Sequence, residues 1–286
     1  MDNLKAKKRH PEEIAVYSAI YVCAAFSVLL LLGIIVYVFA KGARRVNWAF
    51  LTGVTSILHG TVGIAGNILN TLIIILLTMI ITTPIGVGAA IYLNEYAKPG
   101  KLVTVIIFAT ETLAGIPSII FGLFGMLFFG QLCHMGYSLL TGSLTLTLMV
   151  LPLVTRNTQE ALKTVPDSFR TGAVGLGAGK WYTIRTILLP SAMPGIVTGV
   201  ILAIGRIIGE SAALLFTAGS AHLLPKTFYA FLEKIFHSGG TLTIQLYLSA
   251  SKGEFEVAFG IAVVLLVIVL LINFGTKRLA KKLEKH

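Results

Sequence analysis

Long stretches of this chain carry no charge, and their lengths leave few folds open. Ile14–Ala40 and Thr61–Asn94 are uncharged, and the helical part of the second is expected near Ile68–Leu93. Leu102–Leu132 holds one acid, Glu111, and Met135–Thr155 holds none. Leu188–Ala221 carries only Arg206 and Glu210, and Val257–Phe274 is again uncharged. A helix needs about 20 apolar residues to cross the hydrocarbon core. In hydrocarbon every backbone polar group must be satisfied internally, which leaves helices or closed barrels. No run shows the strict alternation of a barrel strand. The expectation is an all-α, polytopic membrane protein with six transmembrane helices. The first run is too long for a signal-peptide core and lacks a small-x-small cleavage site, so it is expected to stay as a helix.

The net charge is +11, a value that elsewhere suggests nucleic acid. Here the basic residues follow the topology. With a cytoplasmic N-terminus, one side receives Lys5, Lys7, Lys8 and Arg9, then Lys98 and Lys101, then Arg156, Lys163, Arg170, Lys180 and Arg185, and finally the tail Lys277–Lys285. The other side receives only Lys41, Arg44, Arg45, Lys226, Lys234 and Lys252. The positive-inside rule then places both termini in the cytoplasm. The partner of the basic surface is the lipid bilayer, and no nucleic-acid partner is expected. Cys23 and Cys133 form no disulfide framework or metal motif. His59, His134, His222 and His237 lack ligand spacing, so no metal and no cofactor are expected. The outer loops are Lys41–Asn67, a short one near Gly130–Gly136, and His222–Glu256, whose middle, Leu224–Phe236, has the spacing of a short interfacial helix.

The longest inner loop, Arg156–Leu188, contains "GAVGLGAGKW". It fails as a P-loop, because Val174 stands where Gly is needed and Trp181 where Ser or Thr is needed. Pro166, Asp167 and Ser168 instead read as a helix start. Phe169, Ala173, Val174 and Leu176 make an apolar stripe, and the glycines at 175, 177 and 179 end the helix in a turn. Trp181, Ile184, Ile187 and Leu188 resume helical spacing into the fifth run. The segment is expected to be a helix–turn–helix hairpin whose apolar face packs under the bundle or docks on a partner.

Ala173, Gly177, Ile187, Leu189 and Pro190 also hold the spacing of the cytoplasmic loop motif E-A-A-x-x-x-G-x9-I-x-L-P. In this respect the chain resembles the permeases of binding-protein-dependent ABC importers. Thr171 and Gly172 replace the motif's Glu and Ala, and the Gly lowers helix propensity by about 1 kcal/mol. "GIAGNILNTL" (Gly63–Leu72), "PIGVGAAIYLNEYA" (Pro84–Ala97), "LAGIPSIIFGLFG" (Leu113–Gly125) and "AIGRIIGESA" within Lys180–Gly219 look like the phosphate permeases of the PstA type. The resemblance covers about Gly63–Phe274.

It implies a type I ABC importer permease (MetI-like) fold in a bacterial or archaeal cell membrane. Residues 1–62 then form the tail, first helix and outer loop. Residues 63–274 form the transport domain, with its coupling loop near 156–188, and 275–286 a basic tail. The partners implied are a second permease (PstC type), two copies of an ATPase subunit (PstB type) and an extracytoplasmic phosphate-binding protein (PstS type), with inorganic phosphate as the substrate. The chain itself is then not an enzyme, since ATP is hydrolysed on the partner. The ATPase contacts would come from Arg170, Ala173, Leu176, Gly177, Ile187 and Pro190.

Charges inside membrane helices usually mark pathways. Arg206 and Glu210 lie four apart, so on one continuous helix they share a face. Arg206 is expected to offer a forked cation to an anion, with Glu210 holding the guanidinium and easing release. The alternative is a structural ion pair. Glu111 and Arg156 are further pathway candidates; Glu111 also suits the inner interface, and Arg156 also suits snorkelling. Gly195–Gly199 and Gly205–Gly209 are G-x-x-x-G pairs that let helices approach. Pro84 and Pro117 are expected to kink their helices, with a broken backbone at "GIPS" lining a cavity as the alternative. A permease for another oxyanion, molybdate or sulfate, and a gradient-driven secondary transporter remain as other readings of the sequence.

Overall fold

A computed structural model describes residues 11–56, 61–225 and 227–283. Lys5, Lys7, Lys8, Arg9, His59, Lys226 and Lys285 lie outside the described residues. The elements are α1 (Pro11–Gly42), α2 (Trp48–Thr52), β1 (Val54–Ser56), β2 (Thr61–Ile64), α3 (Ala65–Ile91), α4 (Lys101–Gly115), α5 (Ser118–Gly125), α6 (Leu139–Lys163), α7 (Asp167–Gly175), α8 (Lys180–Thr183), α9 (Leu189–Gly209), α10 (Ala212–Thr217), α11 (Phe228–Glu233), α12 (Leu242–Ser251) and α13 (Phe255–Leu283). Among the described residues, five helical stretches are long and apolar enough to cross a membrane, and the pair Lys101–Gly115 and Ser118–Leu132 makes a sixth if counted as one span. The architecture is helical, as the uncharged runs require. One antiparallel two-stranded ribbon, β1 with β2, is added in the first long loop.

Two of the expected spans are broken. α4 and α5 meet at 103°. The residue before a proline is pushed out of the helical region, and proline has no N–H to continue the ladder; Ile116 is accordingly extended, at φ −75° and ψ 132°. A plain kink at Pro117 thus understates the change. Pro84 behaves differently and is carried inside the unbroken α3. The fifth run breaks at Glu210, which is extended at ψ 122°, and restarts as α10. The segment 242–251, expected to be loop, is α12, whose N-cap Thr241 accepts from the Ile244 N–H.

The main core lies between α3, α6, α9 and α10, and includes Ile74, Leu146, Val150, Val154, Ile207 and Leu214. α6 crosses α9 at the Gly195–Gly199 pair. A Cβ on Gly199 would stand 2.6 Å from the Asn157 Cβ, and one on Gly195 2.5 Å from the Ala161 Cβ. These contacts fix the register of the two antiparallel helices. Gly205 and Gly209 have nothing within 4 Å of an added Cβ, so the second small-residue pair packs against nothing among the described residues.

At one end of the bundle, polar side chains tie down the connection between α10 and α12. The Asn67 amide donates to the Gly240 carbonyl at 3.0 Å, and the Asn70 amide to those of Ala221 and Gly240, both at 3.0 Å. Lys234, on the same connection, is buried; its ammonium donates to the Leu223 carbonyl. Burial pushes its pKa below the ordinary lysine value.

Gly199→Val should overpack the α6–α9 crossing by about 1–3 kcal/mol and lower the thermal unfolding midpoint of the purified protein by several degrees. Gly33→Ala, on α1 with open space around it, should leave that midpoint unchanged.

Candidate functional site

Two groups of residues stand out, one in a groove on the flank of the bundle, where Arg156 and Arg206 are both exposed, and one at its hairpin end. The first follows from the α6–α9 register. Gly199 faces Asn157 and Gly195 faces Ala161, so Arg206 stands level with about residue 150 of α6. At 1.5 Å per residue, Arg206 and Arg156 are then about 9 Å apart along the helix axes. Both line one cavity of about 180 Å³, together with Thr110 and Ala114 of α4 and Met149, Pro152 and Leu153 of α6. The cavity is walled by apolar side chains, one hydroxyl and two guanidinium groups, with no carboxylate among its lining residues. Neither arginine is in an ion pair; the ion pairs among the described residues are Lys163–Glu160, Arg170–Glu95 and Arg170–Asp167.

Glu210 does not hold Arg206, contrary to the expectation from their spacing. The helix ends between them, so they do not share a helical face. The Glu210 carboxylate turns to the restarting helix and accepts from the Ala213 N–H at 3.0 Å. Its carbonyl accepts from the Thr243 hydroxyl at 2.9 Å. The carboxylate and carbonyl thereby take up two of the polar groups at a break within the membrane region. Glu111 is exposed and is not among the cavity residues, although Thr110 and Ala114 beside it are. One residue is a turn of about 100° on a helix, which carries Glu111 off the face those two share.

The second group is the hairpin. α7 begins at Asp167, directly after Pro166, as the start signal requires. It ends in a Schellman motif: the Ala178 N–H donates to the Ala173 carbonyl at 3.0 Å, and the Gly177 N–H to that of Val174 at 2.9 Å. Gly177 sits at φ +81°, a left-handed conformation that costs other residues about 1 kcal/mol or more. The motif's glycine is therefore required by the turn.

The base of the hairpin is apolar, with Leu162, Val165, Ile184, Leu188 and Ile196 in one buried cluster. Ala173 is buried, and Ile187 is half-buried. The rest of the stripe points away: Leu176 is 91% exposed, and Phe169, Val174, Trp181 and Tyr182 are also exposed. Pro190 is exposed in the first turn of α9.

Arg170 does not reach outward. Its guanidinium donates to Glu95 Oε1 at 2.9 and 3.3 Å, to the Leu162 and Val165 carbonyls at 3.1 and 3.0 Å, and to Asp167 at 3.0 Å. The Glu95 carboxylate raises the Arg170 pKa above its already high value, chiefly through this hydrogen bond and despite partial burial. Glu95 lies in the helical turn Tyr92–Tyr96 that follows α3. Lys180, across the turn, sits over the Tyr96 ring at 4.6 Å. The hairpin is thus clamped to the end of α3 by Arg170–Glu95 and Lys180–Tyr96. Sequence reading passed over Glu95, since an acid in a short polar loop gives no sign of a partner 75 residues away.

A bundle of membrane-spanning helices with an apolar-tipped hairpin at one end is the arrangement of a polytopic membrane protein that can dock a partner at one face, and the comparisons with known proteins place it among the transmembrane components of ABC transporters. The chain belongs to the family described as binding-protein-dependent transport system inner membrane component, whose model matches residues 82–286. It is 35% identical over 273 residues to the probable ABC transporter permease protein YqgI of Bacillus subtilis, covering 92% of this chain and 93% of that one. It is 33% identical to the phosphate transport system permease protein PstA of Xylella fastidiosa, covering 84% and 82%. Among solved structures, a bacterial alginate ABC transporter aligns with a TM-score of 0.69 at 13% identity, covering 96% of each chain. The MetNI methionine ABC transporter aligns with a TM-score of 0.58 at 21% identity, covering 77% and 94%. At these identities the solved structures support the fold alone.

Glu95→Ala removes two charge-assisted hydrogen bonds, a loss of about 2 kcal/mol. Amide exchange across Asp167–Gly179 should accelerate about 30-fold, while exchange in the core of α6 stays unchanged. Unchanged exchange in the hairpin would remove the clamp.

Proposed function

We propose that the chain forms half of the translocation pathway of an importer of inorganic phosphate. The observation that carries this reading is the cavity that Arg156 and Arg206 both line with no carboxylate beside them. An unpaired arginine at a helix centre costs about 3 kcal/mol or more if lipid covers it. A face with two of them is favoured only where water, an anion or another subunit covers it.

Phosphate carries one to two negative charges near pH 7, and its oxygens match the guanidinium fork. Two forks spaced along the helix axes allow an anion to pass from one to the other without a fully enclosing site. In this reading Glu210 acts through the backbone, by holding the break beside the cavity. Glu111 lies outside the first set of anion contacts. The PstA relatives lend the substrate its identity, because two arginines alone would also accept sulfate or molybdate.

The remaining parts follow the same reading. Both termini are cytoplasmic, by the distribution of basic residues. A second permease (PstC type) closes the cavity. The exposed tip, Phe169, Val174, Leu176 and Trp181, docks on an ATPase subunit (PstB type), of which the assembly holds two copies, one under each permease. Ala173, Gly177, Ile187 and Pro190 shape that tip, and Arg170 holds it to α3. ATP is hydrolysed on the partner, and an extracytoplasmic binding protein (PstS type) delivers phosphate. Residues 63–274 are the transport domain in this reading, with 1–62 and 275–286 flanking it.

Proteoliposomes containing the assembled transporter should take up labelled phosphate only with ATP on the hairpin side. Excess unlabelled phosphate should abolish the signal, and excess sulfate or molybdate should not. Uptake driven by an ion gradient without ATP would overturn the importer reading. Equal competition by sulfate would reassign the substrate.

A further inference from the structure

At the end of the bundle away from the hairpin, α1 crosses the start of α13. The crossing is close: a Cβ on Gly42 would stand 2.2 Å from the Phe259 carbonyl oxygen. The Tyr37 and Phe259 rings meet edge to face at 5.7 Å. Around this crossing lies a cavity of about 930 Å³ whose lining includes Lys41, Arg44, Arg45 and Glu256 between those aromatic walls. The Arg45 stem packs where Gly260 leaves room, 3.2 Å from an added Cβ. Among the described residues, none of the four charged groups makes an ion pair or a side-chain hydrogen bond. Three cations therefore face one carboxylate in a space large enough for a head group and unclaimed by the protein.

The depth of this cavity is marked by aromatic residues. Trp48, just beyond it, is 78% exposed and Tyr37 is 55% exposed, as expected of rings at a membrane–water interface. From Tyr37 back along α1 the surface is exposed and apolar, through Val36, Ile34 and Leu32. A small inorganic anion would use the cations and leave that apolar flank idle. One molecule that presents a phosphate group and acyl chains together meets both.

We propose that this cavity binds the head group of an anionic phospholipid, with its chains along α1. The site is separate from the arginine cavity between α6 and α9, and it holds half of the six basic residues that the positive-inside reading places on the unfavoured side.

The test is native mass spectrometry of the assembled transporter released from vesicles of phosphatidylglycerol and phosphatidylethanolamine in equal amounts. The wild type should retain phosphatidylglycerol preferentially. The triple variant Lys41→Gln, Arg44→Gln, Arg45→Gln should lose that preference, at about fivefold per charge removed. Glu256→Gln, which removes the opposing carboxylate, should increase retention severalfold, and Lys252→Gln, outside the cavity, should not change it. Unchanged retention in the triple variant or no gain in Glu256→Gln would overturn the proposal. Displacement of the lipid by millimolar inorganic phosphate would also overturn it and mark a free-anion site. A fall in affinity for the extracytoplasmic binding protein, with lipid retention intact, would make the cluster a protein-docking surface.

Discussion

The crossing of α6 over α9 sets how the two arginines of the bundle stand to one another. Gly195 and Gly199 remove the side chains that would hold the helices apart, and the Asn157 and Ala161 Cβ atoms fill the space. Without that register Arg156, on a helix running one way, and Arg206, on a helix running the other, would face unrelated surroundings. With it they line one cavity. The same helix, α6, continues past the membrane run to Lys163 and supplies Leu162 to the apolar base of the hairpin. One rigid element thus connects the cavity to the segment that docks on the ATPase in the proposed function.

The second constraint is that a backbone within the membrane must satisfy its own polar groups. The chain breaks two spans and answers each break differently. At Pro117 the new helix simply restarts, with the Ile120 N–H donating to the Pro117 carbonyl. At Glu210 an ionisable side chain does the capping, and Thr243 from α12 supplies a further donor. An acid in a membrane run is usually read as part of a pathway; this one is spent on the backbone, which leaves the two arginines unneutralised. Anion passage in the proposed function depends on that division of labour between Glu210 and Arg206.

Much of this was legible in the sequence. Uncharged length gave the helices, and the residues around Gly177 gave the hairpin, its glycine turn and its apolar stripe, while which part of that stripe packs under the bundle and which stays exposed is set by the tertiary structure. The Gly195–Gly199 pair gave a close crossing, though its partner helix could not be named. Arg206 was found by its charge in an apolar run. Its expected partner was wrong because the i, i+4 rule holds only along a continuous helix, and "IGES" gives no proline to announce a stop. Arg156 looked like a residue at a helix end because the apolar run stops there, while the helix itself extends seven residues further to Lys163. α12 was hidden in a loop of ordinary polarity, where Leu242 and Ile244 are buried by neighbouring helices, α3 and α13 among them. Glu95 and Asn70 act across long sequence separations, which no local pattern records.

The central claim is that Arg156 and Arg206 together carry an anion. The most direct measurement is ATP-driven phosphate uptake by Arg156→Gln, Arg206→Gln and the double variant, in transporter complexes that assemble and still hydrolyse ATP. Loss of one charged hydrogen-bonding fork should cut uptake about tenfold or more. The double variant should fall short of the product of the two, since the residues act on one ion. Glu210→Gln should stay near wild type, because the amide oxygen can still accept from the Ala213 N–H. Undiminished uptake in the double variant would contradict the account.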